Sequence, residues 1–263
     1  MLAFNHIGRL GQLGNQMFQY ASLKGIAKHR GFDYVIPKHG VEVDSLGNHL
    51  RTELFDPFDL DVTVSTLNVE YIQEPHFEFS ENLFNTCPDN VSLYGFFQTE
   101  KYFKHIRDDI LKDFDFKDEI KEDCEPIIEQ FDNPIGLHIR RGDFLINYKN
   151  HHNLTLDYYD EAIKKFDNNR QIIIFSDDPE WCYKQNIFAD DRFLISRDNG
   201  PYHDLYMMTK CKDFIIANST YSWWGAWLSG SIDKKVIAPK KWFGVNNEDK
   251  SIEDLFPSDW ILI

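Results

Sequence analysis

Short apolar runs open at residues 135 (IGLHI), 171 (QIIIF), 192 (RFLIS), 213 (DFIIA) and 234 (KKVIA), the last three intervals being 21 residues each. The runs are nearly continuous rather than alternating, as expected of strands covered on both faces. Between them lie stretches of helical length at 156–169, 179–190, 202–210 and 221–232. Strands and helices alternating at this spacing predict βαβ units and a doubly wound parallel sheet.

The first half is less regular. MLAFNHI reads as a strand, and a glycine-bounded helix follows over 15–29, where Met17, Tyr20, Ala21 and then Leu23, Ile26, Ala27 recur at i, i+3, i+4. A strand is predicted at 33–37, another at LYGFFQ, and a helix over 100–113. Pro57, Pro75 and Pro88 break any long element within 38–92. The Lys/Glu/Asp-rich span 112–133 marks the domain boundary, giving domains 1–133 and 134–263.

A chain of 263 residues fits one large or two small domains. With 42% hydrophobic and 15% aromatic residues it is globular rather than disordered. Its net charge of −15 argues against nucleic acid and anionic lipid as partners, so an anionic substrate would need a local positive cluster. Four widely spaced cysteines read as reduced thiols. No apolar run approaches membrane-spanning length. The expectation is a cytoplasmic protein without signal peptide, anchor or integral membrane contact, which leaves room for peripheral access to a lipid-linked glycan.

Ligands of open parallel sheets bind outside the carboxyl ends of the strands. There the sequence places His138, Arg140, Arg141 and Asp143, then Asp177 and Asp178, then Ser196 to Gly200, then Asn218, Ser219 and Thr220. Two guanidinium forks at a strand end suit a diphosphate, and equally suit a surface ion pair with neighbouring acids. Ser219 and Thr220 open a helical stretch, whose free N–H groups suit phosphate; ordinary capping is the commoner use. Trp223, Trp224 and Trp227 can stack on a sugar, although such clusters more often fill cores. Asp177-Asp178-Pro179 also reads as a helix start, and an acid such as Asp204 in a first turn is unremarkable. Gly11-Gln12-Leu13-Gly14-Asn15 fits neither G-x-G-x-x-G nor a Walker loop, so a ligand-approaching turn and a plain strand–helix turn both stay open. Asp59 with Asp61 and Asp113 with Asp115 lie in acid-rich sequence where chance produces such pairs, and metal binding is not expected of them.

Taken together, GQLGNQMFQYA, HIRRGDF, FSDDPEWC and DLYMMTKCKDFIIANSTYSWWGAWLS resemble, in order and spacing from about residue 8 to 240, the α-1,2-fucosyltransferases of glycosyltransferase family 11. The H-x-R-R-x-D element is shared with α-1,6-fucosyltransferases; the N-S-T-x-S-W-W-x-A-W-L element is more particular. The resemblance implies an α/β GT-B-like fold, two Rossmann-like domains facing a cleft, with an acceptor-side domain first and a GDP-sugar-binding domain second. It implies an inverting enzyme that takes GDP-L-fucose as donor, a glycan acceptor (by default a terminal β-galactoside) and no metal. Carried over by position, Arg140 contacts the β-phosphate with Arg141 in support, and Ser219 and Thr220 add phosphate contacts. Asp204 reads guanine, and His138, Asp177, Asp178 and Asn218 belong to the donor site. Asn15 reaches the reaction centre, and Asp143 is the base candidate by position. Two other classes stay open: a nicotinamide-dependent oxidoreductase, which would want an acid after the second strand whereas Asp33 precedes it, and a non-catalytic carbohydrate-binding protein, supported only by aromatic content.

Overall fold

The N-terminal apolar run yields only a two-residue strand, β1 (Leu2–Ala3), in the computed structural model, which describes residues 1–45, 47 and 49–263. Helix α1 (Leu13–Arg30) follows, longer than predicted at both ends, with Lys28, His29 and Arg30 in its last turn opposite the negative end of the helix dipole. It is buried on nearly every side. That is why polar Gln16, Gln19 and Ser22 are as inaccessible as Met17 or Leu23, each bonded to backbone carbonyls. The chain continues through β2 (Tyr34–Ile36), an antiparallel pair β3 (Glu42–Val43) and β4 (His49–Leu50), then β5 (Thr63–Val64) and β6 (Tyr71–Gln73). Helix α2 (Glu81–Thr86), strand β7 (Val91–Tyr94) and helix α3 (Arg107–Asp113) complete this part.

The first sheet has the order β5-β2-β1-β7-β6, with every pairing parallel. Two expectations change here. The strand predicted at LYGFFQ stops at Tyr94, because Gly95 (φ 154°) and Phe97 (φ 54°) turn the chain away. The helix predicted over 100–113 is two 3₁₀ turns, Glu100–Tyr102 and Lys104–Ile106, ahead of α3; Phe103, at φ −136° and ψ −3°, breaks it.

Residues 117–133 carry a helix, α4 (Asp118–Ile128), which buries Ile120, Cys124 and Ile128. The elements that follow are β8 (Ile135–Ile139), α5 (Gly142–Ile146), α6 (Leu156–Ile163), β9 (Ile172–Ser176) and α7 (Pro179–Tyr183). Then come β10 (Phe193–Ile195), α8 (Pro201–Thr209), β11 (Asp213–Ile215), α9 (Thr220–Leu228), β12 (Val236–Ala238) and β13 (Ile261–Leu262). The second sheet runs β10-β9-β8-β11-β12-β13, again parallel throughout. Counted from β8 this is the 3-2-1-4-5-6 order of a dinucleotide-type Rossmann sheet. Alternate residues of β8 serve opposite faces: Ile135, Leu137 and Ile139 join Ile172, Ile174 and the α6 residues Tyr159, Ala162 and Ile163 in one core, while Gly136 meets Cys211 and Met208.

The chain separates into a unit of residues 1–116 with 250–257 and a unit of residues 117–249 with 258–263. The sequence reading divides the chain between 133 and 134. Helix α4 lies with the second unit because it packs on α8, with Tyr206 donating to Glu125 (3.0 Å) and the Cys124 thiol to the His203 carbonyl (3.7 Å).

Candidate active site

Strand order reverses in the second sheet between β8 and β11, and that switch point is where such sheets bind ligands. Their register pairs Ile215 with Leu137. Continued past the strand ends, it sets Asn218 and Ser219 beside the turn carrying Arg140. Arg140 is gripped from two sides: its Nη2 donates to Asp143 Oδ1 (2.6 Å) and its Nη1 lies 3.2 Å from Asp177 Oδ2. The guanidinium also lies over the Phe144 ring, 5.4 Å from its centroid. Burial raises the Asp177 carboxyl above its ordinary range, opposed first by Arg140 and then by the Arg141 N–H. Arg141 turns the other way. Its Nε donates to Asp178 (3.0 Å), its guanidinium lies 3.9 Å from the Trp181 ring centroid, and its backbone N–H donates to Asp177 (2.8 Å). Asp178 also caps α7 by accepting from Trp181 N (3.1 Å). The predicted helix start is therefore real, and it anchors the arginine pair as well.

His138, the last inward residue of β8 on its face, is buried, and its Nδ1 has no hydrogen-bond partner among the described residues. Burial and then the neighbouring Arg140 push its imidazole down to about 3, which leaves it neutral near pH 7. Its ring lies 5.3 Å from that of Tyr221 in the first turn of α9. Tyr221 closes this corner, since its hydroxyl donates to the Pro201 carbonyl at the start of α8. Sequence reasoning passed over Tyr221; its place directly after Ser219-Thr220 was the only signal.

Ser219 stands at the N-cap of α9 yet makes no side-chain capping bond, and Thr220 is the first helical residue. The Ser219 hydroxyl therefore does not cap α9. Asn218 is committed elsewhere: its Nδ2 donates to the carbonyls of His152 and Trp242, both at 2.8 Å, tying two loops to the end of β11. Trp223, Trp224 and Trp227 are fully or almost fully buried and pack on one another and, through Trp223, on Trp260. They are core.

Asp204, in the first turn of α8, accepts from Ser196 Oγ (2.6 Å), and Asn199 Nδ2 donates to that same hydroxyl (3.0 Å). Burial pushes the Asp204 carboxyl up to about 6, against the lowering effect of the Ser196 bond. Ser196 and Asn199 also line a cavity of about 270 Å³ whose other walls include Ile127, Phe131, Leu194 and Met207.

The first sheet has its own switch point, between β1 and β7. Asn15 stands there, its Oδ1 accepting from Gln98 Nε2 (2.8 Å). A Cβ on Gly11 would lie 2.2 Å from Asn15 Nδ2, so the φ of +89° at residue 11 and the position of the amide both require glycine. Gln16 pins the same loop, donating to Gly11 and Arg51 carbonyls and accepting from Glu53 N. The tight strand–helix turn is therefore what this segment forms. Of the paired acids, Asp113 is held by Tyr20 (2.8 Å) and Lys24 (2.5 Å).

The sequence profile of the family described as Glycosyl transferase family 11 matches residues 3–263. The O-antigen biosynthesis glycosyltransferase WbnK of Escherichia coli is 37% identical over 72% of this chain and 67% of its own. An alpha-1,2-colitosyltransferase of Escherichia coli is 30% identical over 96% of both chains. Galactoside alpha-(1,2)-fucosyltransferase 1 of Ateles belzebuth is 25% identical over 84% of this chain and 64% of its own. Among solved structures, POFUT1 in complex with GDP superposes with a TM-score of 0.55 at 13% identity, covering 90% of this chain and 97% of that one. The alpha-1,6-fucosyltransferase NodZ soaked with GDP-fucose gives 0.52 at 14%, covering 88% and 94%. The structural likeness shows the GT-B-like α/β fold. Among the described residues no helix is long and apolar enough to cross a membrane. A profile matched from Ala3 to the last residue displaces both the nicotinamide and the binding-protein readings: the chain belongs to glycosyltransferase family 11.

Proposed function

We propose that the protein is an inverting α-1,2-fucosyltransferase that moves L-fucose from GDP-β-L-fucose to the 2-hydroxyl of an acceptor, by default a terminal β-galactoside. The observation that carries this reading is Arg140, held between Asp143 and Asp177 at the β8/β11 switch point beside the start of α9. Breaking the bond between the sugar C1 and the β-phosphate oxygen leaves new negative charge on GDP. A preoriented guanidinium and a helix N-terminus are suited to receive it. A charge-assisted contact of this kind contributes roughly 1.5–3 kcal/mol. In this reading Arg140, Ser219 and Thr220 hold the diphosphate. Arg141, stacked on Trp181, supports them, and Asp204 beside the apolar cavity reads the guanine N–H edge. His138 stays neutral behind Arg140, Asp177 and Asp178 orient the two arginines, and Asn218 holds the loops around the donor. Asn15 acts on the reacting sugar, with no metal taking part.

The acceptor oxygen attacks C1 from the face opposite the leaving phosphate, and its proton passes to a base. Asp143 is the candidate by position, and its bond to Arg140 gives it an orienting duty as well. A second reading, colitose in place of fucose, is favoured by the colitosyltransferase relative that aligns over 96% of both chains. Both are tested together by incubating the protein with GDP-fucose or GDP-colitose and a β-galactoside in EDTA, then locating the new linkage by NMR. An α-linkage to O2 from GDP-fucose supports the proposal. Transfer from GDP-colitose alone moves the donor to the second reading, and transfer from neither sinks both.

A further inference from the structure

Glu74 follows β6 and is half-buried in the first unit, well away in sequence from every motif that identifies the family. Its two carboxylate oxygens divide their work: Oε2 accepts from Phe96 N (2.8 Å) and Oε1 from Phe97 N (2.9 Å). These are consecutive amides of the turn that ends β7. Gly95 has a φ of +154°, and a Cβ there would lie 2.5 Å from Glu74 Cβ, so the carboxylate reaches the turn only past a glycine. Phe97 holds a φ of +54°, unusual for a bulky side chain. It is kept there by burial against Phe4 (5.6 Å) and Tyr102 (5.3 Å). On the other side the carbonyls of Gly95 and Phe97 accept from Gln19 and Ser22 of α1. The next residue is Gln98, which donates to Asn15.

The geometry points to Glu74 as a positioning residue that holds the 95–97 turn in its strained form and thereby fixes Gln98 and the amide of Asn15. This rests on the assignment of Asn15 to the reacting sugar. A carboxylate can accept both amides at once; a neutral carboxyl or carboxamide turns one of its two groups into a donor facing an N–H. With one acceptor lost, only the packing of Phe97 and the α1 bonds hold the turn, and a shift of Phe97 toward ordinary extended backbone carries Gln98 and its bond to Asn15 with it. Burial raises the Glu74 carboxyl to about 7, opposed by the two amides and by Lys250. Among the described residues Tyr102 also faces it, and beside Tyr102 stands Asp254. The positioning device therefore works in its charged form and weakens as the pH falls through neutrality.

The test uses the full chain as wild type, Glu74→Gln, Asn15→Ala and the double variant. By ¹⁵N NMR between pH 5.5 and 8.5, the Phe96 and Phe97 amides and the side-chain amides of Gln98 and Asn15 should titrate together near pH 7 in the wild type. They should be flat in Glu74→Gln. In steady-state kinetics Glu74→Gln should lower kcat about tenfold with donor KM within about twofold, and should cost nothing further on top of Asn15→Ala. Side-chain amides that ignore the titration of Phe96 and Phe97, or a full additional loss in the double variant, would overturn the inference. The wild-type titration needs no variant to fold. Absence of transfer from any sugar nucleotide would count against the proposed function, while the NMR result would still decide the role of Glu74.

Discussion

Gly142 and Asp177 approach so closely that a Cβ on the glycine would stand 2.5 Å from Asp177 Oδ2. The carboxylate that this contact would displace is one of the two that hold Arg140. Gly142→Ala should therefore lower turnover by about tenfold at saturating donor, as misplacement of a positioned group does. The midpoint of thermal unfolding should change little, because the position is exposed at the start of α5. Kinetics and thermal denaturation on the same preparation check this.

Arg140→Ala should lower turnover by at least about tenfold to a hundredfold at saturating donor. It removes the group expected to receive the leaving charge and also leaves Asp143 and Asp177 facing one another. Near-wild-type kcat in this variant would remove the basis for the proposed donor site. Arg141→Ala, at the stacked and Asp178-bound position, should show first in thermal stability and donor KM.

Ser219→Ala separates capping from ligand binding. A Ser whose side chain caps a helix costs about 1 kcal/mol when replaced by Ala, but the Ser219 hydroxyl makes no such bond. The expected outcome is an unchanged unfolding midpoint with donor KM raised severalfold. A stability loss with unchanged KM would return Ser219 to ordinary capping.

In the proposed donor site, Asp204 is expected to set the pH dependence of donor binding. Its carboxyl is raised by burial to about 6, so acceptance of guanine N–H bonds should be complete above that pH and fail below it. Donor KM should rise as the pH falls through about 6, and Asp204→Asn should show a high KM at every pH. Folding stability moves in the opposite sense. A carboxyl whose folded value is raised contributes stability below its ordinary value, 3.8, and loses it as the pH rises through about 6. Titration calorimetry with GDP and thermal melts over pH 4.5–8 read the two effects separately.

Trp224 is completely buried beside Trp223 and Trp227. Trp224→Ala should cost about 3–5 kcal/mol of stability, lowering the unfolding midpoint without a selective change in donor KM. A variant with native stability and weakened acceptor binding would restore the sugar-stacking reading.

What the chain made legible was its second half. Five apolar runs became β8 to β12; β8, β9, β11 and β12 are almost wholly buried, and residue pattern reports burial directly, while β10 is an edge strand that leaves Leu194 exposed. Their lateral order was not legible, since neighbours such as β8 and β11 are brought together by crossovers rather than by adjacency. Helix α5 escaped notice because Gly142-Asp143-Phe144 is too short to show a helical period. The helix in the charged boundary span after residue 112 was not legible because α4 buries only Ile120, Cys124 and Ile128 on one stripe. Glu74 was invisible for a different reason: its partners are backbone amides of residues 96 and 97, and backbone leaves no mark in a sequence. The loop-holding bonds of Asn218 were not legible, since an amide at a strand end serves a ligand or a loop equally well until its bonds are seen.

The path of residues 250–257 bears on how members of this family can exchange parts. This segment belongs to the first unit, where Asp254 accepts from Phe79 N (3.0 Å) and pairs with Lys101, and where Leu255 is buried. The chain then returns to the second unit to supply β13 as the edge of its sheet. A chimera joined once, near residue 117, would pair one parent's Asp254 and Leu255 with the other parent's Phe79 and Lys101. Recombination that grafts a whole first unit must cross over three times, at 116/117, 249/250 and 257/258. A single crossover near residue 117 therefore splits the first unit between two parents.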